Sequence, residues 1–196
     1  MNGYSETGFS IFESDFLYHI MLLKILIIVF SRTGTTAKIA NIIKEETGGD
    51  IFNVTSLIDY SGVGGYLKGC YHQIVGTIPD IKELPNIDGY DLIYVGSPTW
   101  AWKPSGPILN VLHNTDFKNK SVIPFLTSGG NYGAYFDRFA AEAKNANIIG
   151  EGAFRGAERL NDNQLREKVT SWLKTLNIEQ NTENSAEQNT EKQGEL

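Results

Sequence analysis

"IVFSRTGTTAKIA", residues 28–40, is the stretch on which the fold turns. An apolar, β-branched run stops at Phe30, gives way to small and hydroxylated residues around one arginine, and then continues with a helical pattern. A loop that only had to reverse the chain could use almost any Gly, Asn or Pro combination. This one instead gathers Ser31, Thr33, Thr35 and Thr36 around Gly34, with Arg32 among them. Upstream, "KILIIVF" (24–30) is short, uninterrupted and Ile-rich, as expected of a strand covered on both faces. Downstream, "TTAKIANIIKEET" (35–47) puts Ile39, Ile42 and Ile43 on one face at helical spacing, and Gly48 ends it.

The same alternation continues along the chain. Strands are expected at "DIFNV" (50–54), "DLIYVGS" (91–97), "SVIPFLT" (121–127) and "NIIGEGAF" (147–154), and helices at "GPILNVLHNT" (106–115), "GAYFDRFAAEAKN" (133–145) and "NDNQLREKVTSWLKTL" (161–176). This β-α order implies an α/β fold, a parallel sheet with helices on both faces. Pro124 donates no ladder hydrogen bond and requires local irregularity in its strand. Residues 55–90 are the least readable part, with "YLKGCYHQIVG" (66–76) a short-helix candidate.

In an open parallel sheet, ligands bind beyond the carboxyl ends of the strands. "SRTGTT" (31–36) leaves such an end and enters a helix N-terminus, where free N–H groups and the positive end of the dipole favour an anion. A P-loop requires Gly-x-x-x-x-Gly-Lys-Ser/Thr, and no Gly-Lys pair follows Gly34; a dinucleotide fingerprint requires three spaced glycines, and only one is present. The competing reading is an ordinary N-cap by Ser31 or Thr33.

"SRTGTT" after "KILIIVF" resembles the Ser/Thr-x-Thr-Gly-x-Thr phosphate loop of the flavodoxin family. "SPTWAWKP" (97–104) and "SGGNYGA" (128–134) sit where that family places its two flavin-ring loops. The resemblance covers about residues 22–176. It implies a flavodoxin-like three-layer sandwich with a five-stranded parallel sheet in the order 2-1-3-4-5, and FMN as cofactor. It implies that Ser31, Arg32, Thr33, Gly34, Thr35 and Thr36 surround the phosphate. Ser97, Pro98, Thr99, Trp100, Ala101 and Trp102, with Ser128, Gly129, Gly130, Asn131 and Tyr132, would hold the ring. Trp100 and Tyr132 are the candidates for its two faces, with Trp102 competing for the first. Gly129 and Gly130 would let backbone N–H groups approach the pyrimidine edge. The second ring loop carries no acid, and Lys103 is a candidate for stabilising negative charge on the reduced ring. Many members follow the stacking tryptophan with a glycine whose peptide flips toward flavin N5; this chain has Ala101, which adopts positive φ with more strain.

Net charge is −6 overall, but residues 1–20 hold −3 and residues 177–196 hold −4, leaving +1 for the body. Neither a nucleic-acid footprint nor the strongly acidic docking face of electron-shuttling relatives is visible. Residues 1–20 read as an N-terminal extension preceding a possible start at Met21, residues 21–176 as the FMN-binding domain, and residues 177–196 as a disordered polar tail. Cys70, the only cysteine, excludes an internal disulfide, fits a reducing compartment, and reads as a small buried or half-buried hydrophobe. His19, His72 and His113 carry no metal-ligand spacing. The most apolar window is too short for a membrane span and no secretory signal is evident, so a cytoplasmic protein is expected.

Three functions stay open. The leading one is an FMN protein that transfers electrons between redox partners, with no side chain acting as acid, base or nucleophile. The second is an FMN-dependent NAD(P)H:quinone-type reductase, taking NAD(P)H and a small acceptor; Ala101 and the near-neutral body favour it. The third, least favoured with "SRTGTT" intact, is a flavin-free binding module on the same fold.

Overall fold

The computed structural model describes residues 23–62 and 64–176; the N-terminal extension and the polar tail lie outside them. In chain order the elements are β1 (Ile25–Val29), α1 (Thr35–Thr47), β2 (Asp50–Asn53), α2 (Gly65–Val75), β3 (Leu92–Trp100), β4 (Lys103–Pro104), α3 (Gly106–Asn114), β5 (Ser121–Ser128), α4 (Tyr135–Glu142), β6 (Asn147–Ile148), β7 (Gly152–Arg155), a single 3-10 turn (Ala157–Arg159) and α5 (Asp162–Thr175).

The sheet runs β2-β1-β3-β5-β6, with β7 also pairing β5 and β4 pairing β3. All pairings along the main path are parallel, whereas β3 and β4 form a small antiparallel hairpin. This is the expected 2-1-3-4-5 order, with the fifth strand broken into β6 and β7. The break accounts for Pro124. Ile149 N–H donates to the Val122 carbonyl, so Val122 faces the outer edge, and alternation turns Pro124 the same way. There it lies between the residues paired with β6 and those paired with β7, so its missing N–H costs no ladder bond.

Strict alternation divides the core. Ile25, Ile27 and Val29 of β1, Tyr94 of β3 and Ile123 and Phe125 of β5 point to one face, covered by Ile39 and Ile43 of α1 and Leu165, Val169 and Leu173 of α5. Leu26, Ile28, Ile93, Val95, Val122 and Leu126 point to the other, covered by Ile108 and Leu112 of α3 and Tyr135 and Phe139 of α4. Ile27 is fully buried, and burial of such a side chain contributes about 1.5–3 kcal/mol. At α1 the stop signal is Gly48, left-handed at φ 72°, whose N–H donates to the Lys44 carbonyl. A reciprocal capping box between Asn161 and Gln164 starts α5.

Residues 55–90 contain α2, and its packing follows from three stripes at four-residue spacing. Gly65, Gly69 and Gln73 are buried. Tyr66, Cys70 and Ile74 line a cleft. Leu67, Tyr71 and Val75 are exposed. The helix lies this close to the body because its inner stripe begins with two glycines. A Cβ on Gly65 would sit 1.7 Å from the Tyr60 carbonyl oxygen, and one on Gly69 would sit 2.7 Å from the Trp100 ring.

Candidate functional site

Three loops leave the carboxyl ends of β1, β3 and β5, which are neighbours in the sheet. With the Tyr66, Cys70 and Ile74 stripe of α2 they enclose a cleft of about 790 Å³, within the range usual for small-molecule sites. Arg32, Thr33, Thr35 and Thr36 line it from the first loop, Pro98, Thr99, Trp100, Ala101 and Trp102 from the second, and Ser128, Gly129, Gly130 and Asn131 from the third.

The first loop does not use an ordinary side-chain cap. Helix α1 begins at Thr35 with Gly34 as its N-cap at φ 90°, and no side chain caps it. Ser31 Oγ accepts from Gly34 N–H at 3.1 Å, which tightens the loop, but Ser31 and Gly34 are absent from the cleft wall. The first helical bond is Lys38 N–H to the Gly34 carbonyl. The N–H groups of Thr35, Thr36 and Ala37 therefore precede any intrahelical partner, and no acid occupies the first turn. An anion fits there.

Thr36 is 2% exposed, and its hydroxyl is paired with the Thr127 hydroxyl at 2.8 Å. It joins the first loop to the end of β5 rather than offering a free hydroxyl. Arg32 donates to the Gly62 carbonyl at 3.2 Å and lies over the Tyr66 ring at 5.9 Å, so it links the first loop to the start of α2. The Cys70 thiol, by hydrogen bonding, raises the Tyr66 phenol above its ordinary pKa; burial adds to this and Arg32 opposes it.

The aromatic residues are arranged differently from expectation. Trp100 is 1% exposed, packed against Phe30 and Tyr60 with ring centroids 5.6 and 4.8 Å away, and against Gly69. It borders the cleft but has no open face to stack. Tyr132 is absent from the cleft wall and packs edge-on against Phe136. Trp102 is 60% exposed and rests on Gly133, where a Cβ would come within 2.8 Å of its ring. Ala101 and Trp102 form the tip of the β3–β4 hairpin at φ 47° and 63°, a left-handed pair that costs about 1–2 kcal/mol per non-glycine residue and places strain at the rim. Ser97 is fully buried and hydrogen-bonded to Ser105, behind the cleft. Lys103 borders a separate cavity.

Two buried polar atoms of cleft-lining residues, Thr99 Oγ1 and Trp100 Nε1, have no hydrogen-bond partner. Gly130 has open space where a Cβ would be, and for Gly129 the nearest atom is a Glu158 carboxylate oxygen at 3.8 Å. Glu158 itself lines the cleft. The third loop is free of acids, as its sequence says, but the 3-10 turn after β7 brings a carboxylate beside it. Tyr66, Cys70, Ile74, Thr127 and Glu158 are wall residues that the motifs did not reveal. The four-residue spacing of the first three was the available signal. The wall accordingly combines the uncapped N–H groups of α1 with apolar and aromatic surface, a set that fits a phosphate ester carrying a flat ring. No group of His, Cys, Asp and Glu among the described residues could hold a metal. Among the same residues, no helix is long and apolar enough to cross a membrane.

Residues 73–176 match the family model described as flavodoxin. Among solved structures, the chain is similar to a flavoprotein in complex with FMN from Lactobacillus acidophilus NCFM, with 32% identity and a TM-score of 0.58, covering 67% of this chain and 93% of that one. It is also similar to the apo-form of the flavoprotein from the same organism, solved by NMR, with 31% identity and a TM-score of 0.55 over 71% of this chain and 97% of that one. No protein of curated function matches.

Proposed function

The chain belongs to the flavodoxin family, and from that premise we propose that it binds FMN non-covalently in this cleft and transfers electrons between redox partners. The observation that carries the reading is the convergence of three loops, from three neighbouring parallel strands, on one cleft bordered by an uncapped helix N-terminus suited to an anion. FMN supplies the electron chemistry when bound; the chain supplies binding, orientation and the charge environment.

In this reading Arg32, Thr33 and Thr35, with the first N–H groups of α1, hold the phosphate. Ser31 and Gly34 shape that loop, and Thr36 fixes it to β5. Pro98, Thr99, Ala101 and Trp102, with Ser128, Gly129, Gly130 and Asn131, hold the ring. Trp102 and Tyr66 offer the open aromatic surface, while Trp100, Ser97 and Tyr132 support the loops from behind. No side chain acts as acid, base or nucleophile. A cytoplasmic location fits a chain with a single cysteine.

A second reading, an FMN-dependent NAD(P)H:quinone-type reductase, is favoured by the +1 charge of residues 21–176 and by the exposed apolar rim of Tyr66, Ile74 and Trp102. Such a rim suits a small planar acceptor better than a charged protein partner. The test is an FMN titration of the wild type and of Thr33→Val, followed by addition of NADPH and a quinone to the loaded protein. Binding weakened by the substitution supports the site. Rapid NADPH consumption selects the reductase, and its absence selects the electron carrier. Unchanged affinity in Thr33→Val contradicts the phosphate assignment.

A further inference from the structure

A second cavity, of about 160 Å³, shares no wall residue with the cleft. Its polar wall comes from four elements: Gln73 of α2, Lys103 of β4, His113 of α3, and Arg138 and Glu142 of α4. Arg138 and Glu142 are four residues apart and so share a helix face. His113 Nε2 lies 2.5 Å from Glu142 Oε2, which satisfies the one carboxylate in the wall. The Gln73 side-chain amide is buried and donates to the Pro104 carbonyl, fixing α2 against the strand that carries Lys103. The ammonium of Lys103 and the guanidinium of Arg138 have no ion pair or side-chain hydrogen bond among the described residues.

We propose that this cavity is an anion subsite that takes the phosphoryl group of a small-molecule ligand. Two cations against one carboxylate, itself hydrogen-bonded to His113, leave the wall net basic and suited to an oxyanion, and a guanidinium fork with a compact ammonium is a combination suited to phosphoryl oxygens. The volume suits an inorganic phosphate or one end of a larger molecule, since complete small-molecule sites run to about 300–1,000 Å³. Lys103 directly follows Trp102 at the tip of the cleft hairpin. The subsite stands on its own residues, whether or not the cleft holds FMN.

The experiment is calorimetric titration of inorganic pyrophosphate into the full-length protein, alone and after saturation with FMN, repeated with K103Q/R138Q and with acetate as the competing oxyanion. The expected result is pyrophosphate binding that survives FMN saturation, falls at least about tenfold in K103Q/R138Q, and is not reproduced by acetate. Circular dichroism and thermal melting verify that the variant is folded. Loss of binding on FMN saturation would assign the anion to the cleft and overturn the proposal. Equal affinity in the variant, or equal binding of acetate, would overturn it as well. If FMN itself does not bind, the cleft reading fails separately, and the titration without FMN still decides the subsite.

Discussion

The hydroxyls of Thr36 and Thr127 lie 2.8 Å apart, both side chains buried, and join the first turn of α1 to the end of β5. Their residues are 91 positions apart in the chain. The pair brings the first and third loops to one wall of the cleft. Removing one partner leaves a buried hydroxyl unsatisfied, at a cost of about 1–3 kcal/mol, whereas removing both is much less costly. Thr127→Val is therefore expected to lower stability in urea by about 1–3 kcal/mol, and Thr36→Val with Thr127→Val to recover part of it. An additive double variant would show that the two hydroxyls do not interact.

Gly69 holds α2 against the Trp100 ring, with 2.7 Å left for a Cβ. Gly69→Ala should push the helix away and cost about 1–3 kcal/mol by overpacking, partly offset by the better helix propensity of alanine. Chemical denaturation measures the loss, and altered tryptophan emission reports the displaced ring. A more stable variant with unchanged emission would contradict this packing.

How much of this was legible in the residues depends on the length scale of the signal. The β1 run and the α1 periodicity are local, and both elements fall where the pattern put them. Pro124 announced an irregularity, but its location in the neighbouring strand depends on pairing across the sheet. Within the 55–90 segment α2 packs through Gly65 and Gly69, so the apolar residues at four-residue spacing line the cleft or face solvent instead of marking a core face. The three loops were recognisable by spelling, yet the burial of Trp100 depends on Phe30, Tyr60 and Gly69, all distant in sequence. Glu158 reaches the cleft only because β7 runs parallel to β5.

Burial drives the Tyr94 phenol well above its ordinary pKa, and its hydroxyl is buried without a partner. The unfolded chain releases this proton near pH 10 while the folded chain retains it, so stability falls as pH rises above about 10. Tyr94→Phe removes the orphaned hydroxyl and should be neutral to stabilising by about 1 kcal/mol at pH 7, with a weaker decline above pH 10. Thermal melting between pH 7 and 11 checks both; an unchanged alkaline slope would contradict the assignment.

Glu158 is the carboxylate of the cleft wall, and it opposes an anionic ligand there. Glu158→Gln is expected to tighten FMN binding by about twofold to tenfold at low ionic strength, with the gain shrinking in high salt as screening shortens the field. A gain independent of salt would point to a steric cause instead.

The central claim is that an uncapped helix N-terminus and its threonine loop hold the phosphate of FMN. It is tested most directly by comparing FMN with riboflavin in calorimetric titrations of the flavin-free protein. The account predicts one FMN per chain and riboflavin weaker by about a hundredfold or more, since several charge-assisted hydrogen bonds are lost with the phosphate. Equal affinities for the two, or no uptake of either, would contradict it.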